Sequence, residues 1–167
     1  MLEGIRIFDL KKNPDERGTF TEIMRNDWKD FLGTDEIVQV NSAVNYPGVV
    51  KAWHMHAEGK IEYFLALRGL IKVCVYDEQT KEIDEIILTN EKPQILRVPG
   101  KFWHGIKILG IEPSLTITFT TKLYDYSKPD EVRRPWDDKN IIPNSINGNV
   151  NDKRVGKPWD WFLPPHK

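Results

Sequence analysis

The chain has 167 residues, with 24 Lys plus Arg against 25 Asp plus Glu and a formal net charge of −1. That length predicts one domain with one hydrophobic core, and the near-neutral balance excludes a polyanion-binding module working through a global positive field. Hydrophobic residues at 40% and charged residues at 29% exclude both a disordered chain and a membrane-embedded one.

The start, Met1 to Arg6, lacks the basic-then-apolar layout of a signal peptide, and no apolar run approaches the ~18 residues of a membrane span. A reducing cytoplasm is the expected compartment. One short helix is expected around residues 25–32. Period-two alternation then predicts strands over Glu36–Asn41, Glu62–Leu67, Leu70–Tyr76, Glu82–Leu88, Gln94–Val98 and Ser114–Thr120. Turn signals separate them, among them Pro47-Gly48, Arg68-Gly69, Pro99-Gly100 and Leu109-Gly110. Cys74, the only cysteine, falls inside the Leu70–Tyr76 strand and reads as a buried thiol, which excludes a disulfide within the chain. Short strands at regular turn spacing point to an all-β sandwich or barrel rather than βαβ units. From Tyr124 onward prolines and a polar stretch over 144–153 predict an irregular tail. Its Trp136, Trp159, Trp161 and Phe162 predict that the tail docks, on the β core or on a partner subunit. Core (about 5–122) and tail (123–167) are expected to form a single domain.

The four histidines are His54, His56, His104 and His166. His54 and His56 point to one face of a strand because side chains alternate. They follow Gly48 by five residues and precede Glu62, six residues and Gly69; His104 sits in Pro99-Gly100-Lys101-Phe102-Trp103-His104-Gly105. A lone strand histidine is ordinarily a satisfied polar residue, but three in two such contexts predict one pocket. Imidazoles and a carboxylate converging in a small barrel suit a divalent transition metal with open positions. His166 is expected to be exposed and silent. There is no Gly-rich phosphate loop, Ser/His/Asp order or Cys-x-x-Cys pair, so nucleotide hydrolysis, serine chemistry and zinc fingers have no support.

These two histidine motifs resemble those of the cupin superfamily, which implies a cupin-like antiparallel β-barrel (jelly roll) with a short N-terminal helix and an irregular Pro/Trp-rich tail. A narrower resemblance runs from about residue 5 to 143. Asp15-Glu16-Arg17-Gly18-Thr19-Phe20-Thr21-Glu22, Gln39-Val40-Asn41-Ser42, Gly48 to His54, Pro99 to Gly105 and Trp136-Asp137-Asp138 occur in the order of the dTDP-4-dehydrorhamnose 3,5-epimerase family. The chain resembles a divergent member. The resemblance implies a homodimer that works without a metal on a nucleotide-linked 4-keto sugar.

It also implies proton transfer beside a ketone, with His54 as general base and Asp138 as the carboxylate that orients it. His104 and a lysine would stabilise the enolate oxygen. Arg17, Phe20, Glu22, Gln39, Asn41 and Lys51 fall where the family binds its nucleotide sugar, and His56 replaces a glutamine there. Trp53 is a wall residue that a ring could stack on. The family's lysine position is Glu62 here, so Lys60, on the same strand face, is the candidate replacement. The acid tyrosine's position falls at Phe119 or Thr120, which leaves Tyr126, close behind Tyr124, as the candidate acid. The expected activity is that of an epimerase or isomerase on a nucleotide-activated 4-keto-6-deoxy sugar in deoxysugar or polysaccharide biosynthesis. No cofactor, nucleic acid or membrane partner is expected. Two alternatives stand beside it: a metal-dependent cupin enzyme using His54, His56, Glu62 and His104, and a non-catalytic sugar-nucleotide-binding cupin.

Overall fold

The computed structural model describes residues 1–165; His166 lies outside them. In chain order the elements are β1 (Arg6–Asp9), β2 (Asn13–Asp15), β3 (Gly18–Phe20), α1 (Lys29–Leu32), β4 (Gln39–Asn45), β5 (Val50–His56) and β6 (Ile61–Arg68). They continue with β7 (Leu70–Asp77), β8 (Glu82–Thr89), β9 (Gln94–Pro99), β10 (Trp103–Leu109), β11 (Ser114–Thr120), β12 (Glu131–Arg133) and β13 (Ser145–Ile146). One sheet has the order β1-β9-β6-β11-β4, the other β12-β5-β10-β7-β8-β13, and β2-β3 is a separate hairpin. Every pairing is antiparallel except that of β13 with β8. The result is a cupin jelly roll of two sheets that do not close into a continuous barrel.

Alternation explains the layers. Phe64, Ala66, Ile71, Val73, Val75, Leu96, Val98, Ile106 and Ile108 fill the space between the sheets. The opposite faces of the same strands carry two further clusters. Leu10, Tyr63, Leu65, Ile95 and Phe119 pack under Phe31 and Leu32 of α1. Cys74, Tyr76 and Trp103 pack under Trp159 and Trp161 of the tail. β7 is therefore buried on both faces.

Two elements differ from their sequence expectation. The helix is a single turn because Trp28 supplies no capping side chain and Gly33, at φ +64°, ends it. The strand expected over Glu36–Asn41 is displaced to Gln39–Asn45, since its partner β11 ends at Thr120, opposite Gln39. The tail docks on its own chain: Trp161 packs on Trp53 at 4.8 Å between ring centroids, and its indole N–H donates to the Trp136 carbonyl at 3.1 Å. Among the described residues no helix is long and apolar enough to cross a membrane.

Beneath α1, Asp35 accepts from Arg97 Nε at 2.7 Å and from the Tyr63 hydroxyl at 2.5 Å. Burial opposes its charge, but Arg97 and Tyr63 outweigh burial and hold its pKa below 3.8. A lowered folded pKa means this stabilisation is present above the ordinary carboxylate pKa and is lost as pH falls through the folded one. Asp35→Asn is expected to cost about 3 kcal/mol at neutral pH, as broken buried pairs do. In denaturant titrations the gap to the parent protein should shrink below about pH 4.

The glycines of the second histidine motif are steric requirements. A Cβ on Gly105 would lie 2.3 Å from the Ala52 Cβ, and one on Gly100 would lie 2.0 Å from the Lys60 carbonyl oxygen. Gly105→Ala must therefore push β10 away from β5. The expected loss is about 3 kcal/mol, the upper range for overpacking, read as a lower melting temperature.

Candidate active site

β5 and β10 run antiparallel with His54 opposite His104, and directly paired residues share a sheet face. His56, two residues on, lies on that face as well. The facing sheet contributes Glu62 from the start of β6. Its Oε2 is 3.1 Å from His104 Nε2, 3.4 Å from His54 Nε2 and 3.6 Å from His56 Nε2. The ligand atoms of all four residues lie within 4.8 Å of one another.

The outer nitrogens fix the tautomers. His104 Nδ1 is 2.8 Å from the Phe102 carbonyl oxygen, and His56 Nδ1 is 3.1 Å from Asp130 Oδ1. Both partners only accept, so both Nδ1 atoms carry hydrogen and a neutral ring turns its Nε2 electron pair toward Glu62. Burial raises the Glu62 pKa, but the imidazoles around it outweigh burial and hold it well below the usual carboxylate range. Burial, and then the charge of His54, pulls His104 below the ordinary imidazole value. Burial also works against a charge on His56, yet Glu62 and Asp130 outweigh it and lift the pKa.

One side of the cluster is open. β12 adds to the edge of β5 with Arg133 opposite His54 and Glu131 opposite His56. A cavity of about 460 Å³ there is lined by Lys51, His54, Glu131, Arg133 and Arg134, among others. The His54 side chain is 24% exposed, whereas those of His56 and His104 are 0% exposed.

Other residues expected at the site lie elsewhere or are engaged. Asp138 accepts from the backbone and side chain of Asn140 and forms no hydrogen bond with His54, because it closes a turn of the docked tail. Trp53 is 1% exposed and packed on Trp161, so its indole offers no free face for stacking. Lys60 is buried with its Nζ 3.6 Å from Asp130 Oδ1. Tyr126 is 87% exposed and rests on Tyr124, outside the cluster. Gln39 donates to Asn41 at 2.9 Å and accepts from the Tyr124 amide; through Thr120 it shares a sheet face with Glu62. Arg17 pairs with Asp15 and Glu22 with Arg25, while Phe20 projects into solvent; within this chain none of the three touches the cluster. Sequence reasoning read Tyr124 to Glu131 as a solvated turn that could line the pocket mouth and gave neither Asp130 nor Arg133 a role at the cluster. The Arg133-Arg134 pair just before Trp136-Asp137-Asp138 was the one available signal.

A jelly roll with histidines and a carboxylate gathered on the inner face of its strands is a cupin. The sequence profile of the polysaccharide biosynthesis C-terminal domain matches residues 13–132. The probable low-salt glycan biosynthesis epimerase Agl13 of Haloferax volcanii is 40% identical over 141 residues, covering 81% of this chain and 89% of that protein. The spore coat polysaccharide biosynthesis protein SpsL of Bacillus subtilis is 36% identical over 146 residues, covering 84% and 94%. A dTDP sugar isomerase from Desulfovibrio desulfuricans superposes with a TM-score of 0.74 at 25% identity, covering 83% of this chain and 88% of that one. The chain belongs to the polysaccharide biosynthesis C-terminal domain family. It is a carbohydrate epimerase.

Proposed function

We propose that the substrate is a nucleotide-activated 4-keto-6-deoxy sugar and that His54 moves the proton beside its ketone. The observation that carries this reading is the exposure of His54 alone among the three clustered imidazoles, in a cavity that Lys51 and Arg133 also line. A hydrogen next to a ketone becomes acidic when the enolate oxygen is stabilised. His54 would take that hydrogen, with the Glu62 carboxylate at 3.4 Å stabilising the imidazolium that forms. Return of a proton to the opposite face inverts the carbon. Lys51 and Arg133 would face the diphosphate, for which a guanidinium is the better-matched partner. Incubating the protein with a dTDP-4-keto-6-deoxy sugar should give new epimer signals by NMR. An unchanged spectrum from demonstrably bound substrate would leave the protein a binding cupin.

A homodimer is part of the proposal. Val40 and Val44 on β4, and Val38 and Tyr46 just beyond its ends, expose apolar side chains along an unpaired sheet edge, which a second copy would cover. The Arg17 and Phe20 hairpin stands free to reach a neighbour's site. Sedimentation should give twice the chain mass, and a monomer at micromolar concentration contradicts this element. The free, buried Cys74 supports a reducing, cytoplasmic setting.

One observation favours a second reading, in which the cluster holds a divalent transition metal. The Nε2 electron pair of neutral His104 faces an ionised carboxylate at 3.1 Å, an arrangement that calls for a shared proton or cation. The separations of 3.1 and 3.4 Å fall within the about 3.0–3.4 Å between neighbouring ligands of an ion bound at about 2.1 Å, and that of 3.6 Å lies just beyond it. His54, His56, Glu62 and His104 would hold it, and an ion there polarises a ketone oxygen. His54 then serves as ligand, and the two readings part at that residue. A stoichiometric transition metal in the purified protein, lost in His56→Ala, selects this reading; metal-free protein with full activity rejects it.

A further inference from the structure

We infer that Asp130 is a positioning residue of the active site: from the tail, it locks the buried imidazole of His56 so that its Nε2 electron pair faces the cluster. Asp130 belongs to none of the sequence motifs. It stands one residue before β12 and is pinned at the end of β5 by the Ala57 amide, which donates to its carbonyl at 3.1 Å. Its Oδ1 reaches His56 Nδ1 at 3.1 Å and Lys60 Nζ at 3.6 Å. The Lys60 side chain is only 4% exposed and that of Asp130 13%.

The chemistry of these groups dictates the consequence. A carboxylate oxygen can only accept a hydrogen bond. His56 Nδ1 is therefore the donor, and its Nε2 is left with an electron pair. That Nε2 is buried, has no hydrogen-bond partner among the described residues and points at Glu62 Oε2, 3.6 Å away. Without Asp130 the ring gains freedom to move its hydrogen to Nε2 or to turn over, and either change disorders the group beside Glu62. Carboxylates that orient a histidine from behind contribute typically 10–100-fold to the affinity or activity of such sites. Lys60, expected from the sequence to serve the substrate, instead lies with its Nζ 3.6 Å from Asp130 Oδ1. The tail strand thus completes the site from outside the β core. The inference relies on the epimerase reading for the location of the site alone, and it holds whether the cluster moves a proton or holds an ion.

The test reads the imidazole directly. Two-bond ¹H–¹⁵N correlation spectra of the full-length protein, in alkaline buffer where imidazoles are neutral, should show His56 as the Nδ1–H tautomer. In Asp130→Ala the signal should shift to the Nε2–H form or to a mixture. With a nucleotide-linked 4-keto sugar, kcat should fall about 10–100-fold while KM stays within about twofold. If Asp130→Ala does not fold, the isosteric Asp130→Asn decides, since its backbone contact to Ala57 is kept and its amide N–H can donate to Nδ1. A folded variant with His56 still wholly Nδ1–H and kcat unchanged overturns the inference and leaves Asp130 as a tail anchor. A tautomer shift without any turnover in the parent protein supports the positioning role and counts against the epimerase reading instead.

Discussion

His54→Ala is expected to slow exchange of the substrate's ring hydrogens with solvent by about 10²–10⁴, the usual contribution of a positioned general base, while nucleotide binding stays nearly intact. The separation follows from position. His54 is the exposed member of its cluster, and Lys51 and Arg133 line the cavity beside it. Removing a partly exposed side chain that lines an open cavity leaves no sealed void, so the fold should persist. Calorimetric titration with dTDP and NMR exchange on the same sample separate binding from chemistry. Loss of dTDP binding would make His54 a ligand-contact residue, and unimpaired exchange would place the base elsewhere.

Glu62→Gln is expected to lower turnover about 10³-fold with the melting temperature held or raised. The carboxylate is the one group that all three imidazoles approach, and it is ionised at the cost of its burial. A glutamine fills the same volume, and its amide N–H can meet the Nε2 electron pair of His104, so the fold loses no hydrogen bond. What disappears is charge. A His54 imidazolium loses its counter-ion, and a bound cation loses its anionic ligand. Either loss exceeds that of a single electrostatic donor, typically 10²–10³ in kcat. Turnover near the parent level in the folded variant would make Glu62 a passive buried polar group. A site that gains stability as it loses activity is one whose charges serve function rather than fold.

The sequence announces the strands whose two faces differ or whose cores are unbroken. Ile61–Arg68, Leu70–Asp77, Glu82–Thr89, Gln94–Pro99 and Ser114–Thr120 follow from alternation and turn signals within a residue or two. The His54, His56 and His104 convergence was equally legible, because period two and a distant third histidine sufficed. β12 was not. Glu131-Val132-Arg133 has no pattern of its own and is a strand only because it finds the free edge of β5. The same long-range event explains the errors at the site. Where the tail lies decides that Asp130, and not Asp138, meets a histidine; local sequence carries no trace of that choice. Trp53 illustrates the converse: its neighbour His54 faces the site, while its own ring faces the tail cluster.

The most direct measurement of the central claim is solvent deuterium incorporation. The protein is incubated in heavy water with a dTDP-4-keto-6-deoxyglucose-type substrate, and the recovered sugar is read by NMR and mass spectrometry. Deuterium at carbon 3, carbon 5 or both, absent from the no-enzyme control, is the predicted result. A substrate that binds in the cavity yet recovers its ring hydrogens undeuterated and uninverted would contradict the proton-transfer account at its root.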